Sequence, residues 1–190
     1  ETDIVTKEMY SWEDVDGASL TLRPELTASV VRSYIQHNLG TLSPIQRLYY
    51  SGPLFRRERP QKGRQRQFHQ FGVEAFGSNN PEQDVEIIAV AWKILSLCGL
   101  ENETTLNLNS IGSNECRNNY RTALKNYLSP YIKDFSKTSP HRFDTNPLRI
   151  LDTKSEKEQE ILNDAPKISD YHNKTDSTHF ESLKEILKDM

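Results

Sequence analysis

Residues 55–77 read FRRERPQKGRQRQFHQFGVEAFG, a cationic run set between two apolar, aromatic stretches. Arg56, Arg57, Arg59, Lys62, Arg64 and Arg66 stand against the single carboxylate Glu58, a local charge of +5 in a chain whose formal net charge is −3. A generic charge run is usually a solvated turn. Two features point further. Arginine outnumbers lysine, and the planar guanidinium fork suits a bidentate grip on phosphate or carboxylate. The run is also bounded by Phe55, Phe68 and Phe71, aromatic faces suited to a nucleobase lying beside the phosphates that belong to it.

Gln46 to Phe55 and Phe68 to Phe76 read as strands, with Pro60 and Gly63 as turn punctuation between them, so the stretch closes a long-looped antiparallel pair. Upstream, Met9 to Asp14 and Ser19 to Arg23 flank Val15-Asp16-Gly17, a hairpin signal, and Pro24 ends the second run. Ala28 to His37 carries Val30, Val31, Tyr34 and Ile35 at helical spacing, with Thr27 placed to cap it, which puts Glu25 at a strand-to-helix junction. Downstream, Asn80-Pro81-Glu82-Gln83 reads as a helix start with Gln83 reaching back, and Val85, Ile88, Trp92 and Leu95 mark one apolar face up to Gly99. Thr104 to Leu108 alternates as a strand does. Asn114 to Phe135 is helical with an interruption at Pro130, and Glu156 to Leu162 and Ser182 to Leu187 are short helical pieces. Strands before residue 111 and helices after it predict an α+β fold with an antiparallel sheet.

With 190 residues, 35% of them hydrophobic, the chain is that of an ordinary globular protein. Its net negative charge means that any contact with nucleic acid must come from a local basic patch. Cys98 and Cys116 lack metal-ligand spacing and suit a reducing compartment. No apolar run approaches the roughly 20 residues that span a bilayer, and the acidic opening is unlike a signal peptide; a cytoplasmic protein is expected. Neither GxxxxGK[ST] nor GxGxxG occurs, so phosphates would have to be held by side chains. Gln70 and Glu74, four apart on a strand, share a face with Phe68 and Phe76. They are either a satisfied structural pair or a polar floor that recognises a small substrate.

The same stretch resembles motif 2 of class II aminoacyl-tRNA synthetases, and residues 59–70, RPQKGRQRQFHQ, are similar to the bacterial histidyl-tRNA synthetase family. TDIVTKEMY (2–10), TLRPELTASVVR (21–32), TLNLNSIGS (105–113), NPLRILD (146–152) and LNDAP (162–166) resemble that family in the same order. The resemblance implies the antiparallel sheet of a class II catalytic core with flanking helices. Residues 1–111 would be part of that core, motif 2 included, and residues 112–190 a helical continuation of it.

It also implies a reaction: attack of the histidine carboxylate on the ATP α-phosphorus, then transfer of histidine to tRNA(His). Arg56 matches the arginine that bridges α-phosphate and amino-acid carboxylate and is the expected catalytic residue. Glu58 matches the glutamate that recognises the adenine amino group, Phe68 the aromatic on which adenine stacks, and Arg64 the arginine that reaches the distal phosphates. Glu25 and Thr27 match the pair that receives the α-ammonium, and Gln70 and Glu74 the residues around the histidine side chain. Arg57, Arg59, Lys62 and Arg66 are expected to face the triphosphate or the tRNA acceptor end. Mg2+ is expected with ATP, and a homodimer for the full-length protein. Leu26 departs from the glycine usual after that glutamate, so a different local backbone is expected. The family's motif 1, its GLDYY-like segment, its motif 3 and its anticodon-binding domain have no counterpart in these residues, so the chain is expected to be a fragment not competent alone. A noncatalytic relative, the regulatory subunit of ATP phosphoribosyltransferase, is the second reading. It would have no need to keep Arg56, Glu58, Arg64, Gln70 and Glu74 together. A generic RNA-binding hairpin is the third, and leaves Glu25, Gln70 and Glu74 unexplained.

Overall fold

In a computed structural model the described residues are 8–136 and 139–189, so most of the 2–10 segment lies outside them. The chain divides into two units, Glu1–Ile94 and Leu95–Met190.

In the first unit, strands β1 (Tyr10–Glu13) and β2 (Ser19–Leu22) form the expected antiparallel hairpin, pairing Tyr10 with Leu22 and Glu13 with Ser19. Gly17, at φ 77°, supplies the left-handed residue that its turn requires. Helix α1 (Thr27–Gln36) follows, then one further turn, α2 (Leu39–Leu42), which the sequence reading lacked. Strands β3 (Gln46–Phe55) and β4 (Gln67–Phe76) pair in unbroken antiparallel register from Gln46 opposite Phe76 to Phe55 opposite Gln67. The architecture is thus α+β, built on two separate two-stranded antiparallel ladders with helices around them.

Two cap assignments change. Leu26, at φ −118° and ψ −16°, is the residue before α1, and Thr27 is already inside the helix; the free N–H of Ala28 is instead met by both carboxylate oxygens of Glu25, each at 3.1 Å. A longer acidic side chain two residues upstream does what the threonine was expected to do, and its negative charge suits the helix N-terminus. At helix α3 (Pro81–Leu97), the Gln83 side chain points forward to Glu86 at 2.9 Å rather than back. Glu86 is the stronger acceptor, and it also takes a hydrogen bond from Arg47 of β3 at 2.5 Å. The helix ends as Gly99 predicts. Gly99 has φ 73°, its N–H donates to the Ser96 carbonyl, and that of Leu100 donates to the Leu95 carbonyl, a Schellman closure.

The second unit contains no strand among its described residues, which corrects the strand expected at Thr104 to Leu108. Thr104 is extended, but a lone extended segment has no ladder to satisfy its backbone, and Leu106 and Leu108 stay exposed. Helix α4 (Asn114–Leu128) stops before Pro130, and a 3-10 turn at Ile132–Asp134 follows. Then come α5 (Ser139–Thr145), a 3-10 turn at Pro147–Ile150, α6 (Glu156–Asn163), a 3-10 turn at Ile168–Tyr171 and α7 (Lys174–Lys188). The last is much longer than the piece expected at Ser182 to Leu187. Tyr120, Leu124 and Leu128 of α4, with Phe135 and Ile150, form the core, and Ile161, Leu162 and Tyr171 pack around them. Glu158 is buried there and satisfied, accepting from the Ser136 N–H at 2.7 Å and from the Thr153 hydroxyl.

One carboxylate joins two helix starts. Asp176 closes a capping box with Asn173 at the start of α7, and it accepts from the Ser113 N–H at 2.9 Å and the Ser113 hydroxyl at 3.0 Å at the start of α4. Burial pushes the Asp176 carboxyl up, but the hydrogen bonds from Ser113 and Asn173, with the charge of His172, outweigh it and hold it below its ordinary 3.8. A carboxylate depressed in the folded state stabilises the fold above its unfolded value, and that contribution is lost as pH falls through the folded one. Chemical unfolding followed by circular dichroism should therefore show stability dropping as pH falls below 3.8, with a shallower drop in Asp176→Asn. Equal acid profiles would refute the assignment. Leu124→Ala, which empties a fully buried position, should cost about 2–5 kcal/mol in the same assay.

Candidate active site

The β3–β4 ladder has two unlike faces because side chains alternate along each strand. One carries Arg47, Tyr49, Ser51, His69 and Phe71, all exposed, with Tyr49 at 84%. The other carries Leu48, Tyr50, Gly52 and Leu54 opposite Glu74, Gly72, Gln70 and Phe68, none of them exposed and Leu54 wholly buried. Gln70 and Glu74 thus lie on one face with Phe68 and Phe76, as their spacing requires. No side-chain partner for either occurs among the described residues. Two half-buried polar groups on a partly apolar face, without partners of their own, suit a ligand better than a structural pair.

Two glycines shape this face. A Cβ at Gly72 would fall 2.2 Å from the Tyr50 ring, so that ring lies directly across Gly72, between Gln70 and Glu74. A Cβ at Gly52 would meet the Arg23 guanidinium at 3.2 Å and a Leu26 methyl at 3.8 Å. Helix α1 lies against the same face: Tyr34 stacks on Phe76 with centroids 4.5 Å apart, and the Thr27 and Tyr50 hydroxyls are 3.3 Å apart. Thr27, far from Gln70 and Glu74 in sequence, is carried to the same patch by its contact with Tyr50. Leu26 needs no positive φ, and its side chain is buried against Gly52, which accounts for a leucine at that position.

The cationic stretch continues the ladder. Arg56 N–H donates to the Arg66 carbonyl at 2.9 Å, and the Phe55 N–H reaches the Arg23 carbonyl at 3.0 Å, tying the hairpin to the exit of β2. Arg56 is half-buried. Its Nε donates to the Pro24 carbonyl at 2.9 Å, and its guanidinium carbon lies 5.1 Å from the centre of the Phe68 ring. One edge of the fork is thereby anchored while its Nη groups are left for an anion. Arg23 is held in the same way, Nε to the Pro53 carbonyl at 2.8 Å. The tip is a tight turn in which Gln61 and Arg64 exchange backbone hydrogen bonds and Gly63 has φ 79°. Glu58, half-buried, lies 3.7 Å from the Arg64 guanidinium, and its carbonyl accepts from Arg66 Nε at 3.3 Å. Arg57, Arg59, Lys62, Arg64 and Arg66 are exposed.

The structure therefore brings Arg56 and Phe68 together, and separately Glu58 and Arg64; it sets Thr27 against Tyr50, whose ring lies between Gln70 and Glu74, and leaves Glu25 at the start of α1 on the Ala28 N–H. Arg23 and Tyr50 were not singled out from the sequence. The available signal was Gly52 and Gly72, since glycine inside a strand marks the close approach of another group. A surface depression of about 560 Å³ borders Glu25, Thr27 and the Val31–Ile35 side of α1. It reaches neither Arg56 nor Gln70. Among the described residues no three His, Cys, Asp or Glu side chains gather as a metal cage, and no helix is long and apolar enough to cross a membrane.

Comparison with known proteins agrees with these features. A family model described as histidyl-tRNA synthetase matches residues 1–114. The histidine–tRNA ligase of Protochlamydia amoebophila is 49% identical over 189 residues, covering 100% of this chain and 44% of that protein. The histidine–tRNA ligase of Thermosynechococcus vestitus is 52% identical over 187 residues, covering 98% and 44%. The crystal structure of apo S. aureus histidyl-tRNA synthetase superposes with a TM-score of 0.71 at 38% identity, covering 98% of this chain and 43% of that one. A Bacillus halodurans structure titled ATP phosphoribosyltransferase regulatory subunit/histidyl-tRNA synthetase matches at a TM-score of 0.52 and 20% identity, a likeness of fold alone. The chain spans less than half the length of the curated relatives it matches. With a family model covering more than half of its residues, and the cationic hairpin standing on a ladder that carries Gln70 and Glu74 on one face, the chain belongs to the histidyl-tRNA synthetase family.

Proposed function

We propose that the protein carrying this chain is a cytoplasmic, homodimeric histidine–tRNA ligase, and that these residues form part of its catalytic core. The reading is carried by one arrangement: an anchored arginine on an aromatic ring, at the end of a sheet face whose Gln70 and Glu74 side chains have no partners among the described residues. Both reactants of the first step are anions, so positive charge must be fixed in place before they meet. A histidine carboxylate oxygen bonds to the α-phosphorus of ATP, the bond to the β-phosphate bridging oxygen breaks, and pyrophosphate leaves. Arg56, held through Nε, offers its Nη groups to the α-phosphate and the carboxylate together, drawing attacker and target into line. Adenine stacks on Phe68, with Glu58 accepting from its amino group and Arg64 swinging to the distal phosphates. The loose contact between Glu58 and Arg64 is readily exchanged for these partners. Mg2+ bound with ATP would neutralise phosphate charge, its ligands coming mainly from phosphate and water.

Glu25 and Thr27 receive the α-ammonium, and Gln70 and Glu74 surround the imidazole, where an ionised carboxylate is an acceptor for a ring N–H. Arg57, Arg59, Lys62 and Arg66 line the exposed loop for the triphosphate or the tRNA acceptor end. In the second step a ribose hydroxyl of the terminal adenosine of tRNA(His) bonds to the histidyl carbonyl carbon of the adenylate, the bond to the phosphate oxygen breaks, and AMP leaves.

Histidine-dependent exchange of labelled pyrophosphate into ATP by the full-length protein tests this. Arg56→Ala should lower the exchange rate about 10²–10³-fold. Arg56→Lys should recover only a small part, because an ammonium is a point charge that cannot bridge two oxyanions as a fork does. Absence of histidine-dependent exchange in the unmodified protein would sink the proposal, and histidine binding without exchange would favour a regulatory relative.

A further inference from the structure

We infer that Tyr50 is a positioning residue for amino-acid recognition: its hydroxyl holds the Thr27 hydroxyl in the orientation that accepts the substrate α-ammonium, and Gly72 is glycine so that the Tyr50 ring can lie there. The inference rests on the proposed ligase reading and assigns a role to a residue that touches no part of the reacting bonds.

Tyr50 stands opposite Gly72 in the ladder, and its ring is folded flat over that glycine, with the position of a Cβ only 2.3 Å from its hydroxyl oxygen. No side chain larger than hydrogen fits beneath it. The ring is thereby fixed on the sheet between Gln70 and Glu74, two residues to either side of Gly72 on the same face. Its hydroxyl lies 3.3 Å from Thr27 Oγ1 at the first residue of α1. An ammonium has three donors and no acceptor, so Thr27 must turn a lone pair to it. A free threonine hydroxyl rotates. One whose hydrogen is donated to Tyr50 Oη presents both lone pairs outward, beside the Glu25 carboxylate that lies two residues earlier and is itself oriented by the Ala28 N–H. Phenylalanine in place of Tyr50 keeps the ring on Gly72 and removes only this contact.

The test is steady-state pyrophosphate exchange by the full-length protein, with KM measured separately for histidine and ATP in Tyr50→Phe, Thr27→Val and the double variant. Tyr50→Phe should raise KM for histidine about 5–10-fold, the scale of one hydrogen bond, with KM for ATP unchanged and kcat altered less. The double variant should be no worse than Thr27→Val, because both act through one hydroxyl. Thr27→Ser, which restores the hydroxyl, should restore KM for histidine. Unchanged KM for histidine in Tyr50→Phe, or effects that multiply in the double variant, would overturn the inference while leaving the ligase reading in place. Failure of exchange in the unmodified protein would overturn that reading, and this inference with it.

Discussion

The register of the β3–β4 ladder is the constraint from which the rest of the site follows. Gln46 to Phe55 pair with Phe76 to Gln67 without a bulge, and the side-chain period of a strand is two. A slip of one residue would carry Gln70, Glu74 and Phe68 to the face that bears Tyr49 and Phe71. It would also place a bulky side chain under the Tyr50 ring. The unbroken ladder and the two glycines therefore act together. Pairing fixes which residues face α1, and Gly52 and Gly72 leave room for Arg23 and Tyr50 to lie flat between them.

The same ladder decides how charge is presented. In a chain of net negative charge, six cations are concentrated between residues 56 and 66. Two guanidinium groups are tied closely to backbone outside the loop. Arg56 and Arg23 each donate Nε to a backbone carbonyl, which fixes direction while the charge remains available. Among the described residues the exposed loop side chains have no such anchoring, apart from Arg66, whose Nε donates to the Glu58 carbonyl within the loop, and the loose contact of Arg64 with Glu58. The anchored Arg56 beside the Phe68 ring suits a geometrically demanding step, and the exposed cationic rim suits the gathering of polyanions.

The second unit solves a different problem, that of short helices with many unsatisfied ends. Asp176 answers two of them at once, and Glu158 does comparable work for the Ser136 backbone and the Thr153 hydroxyl inside the core. Acidic side chains are used here as acceptors for helix starts and turns, not as catalytic groups. Their placement explains why a segment with little sheet and modest helix lengths still closes around Tyr120, Leu124 and Leu128.

Local pattern in the sequence was enough to determine both hairpins, the long helix from Pro81, the break at Pro130 and the shared face of Gln70 and Glu74, because each depends on neighbours a few residues apart. The cationic, aromatic-flanked character of residues 55–77 was legible for the same reason, and likeness to a family gave the roles expected within it. Tertiary structure alone decided that Thr104 to Leu108 forms no strand and that Thr27 and Tyr50, 23 residues apart, share a hydrogen bond. A strand needs a partner, and a hydroxyl needs a neighbour. Which residues meet across the fold is set by the register of the ladder and the docking of α1 on it, and neither is written in any short stretch of chain.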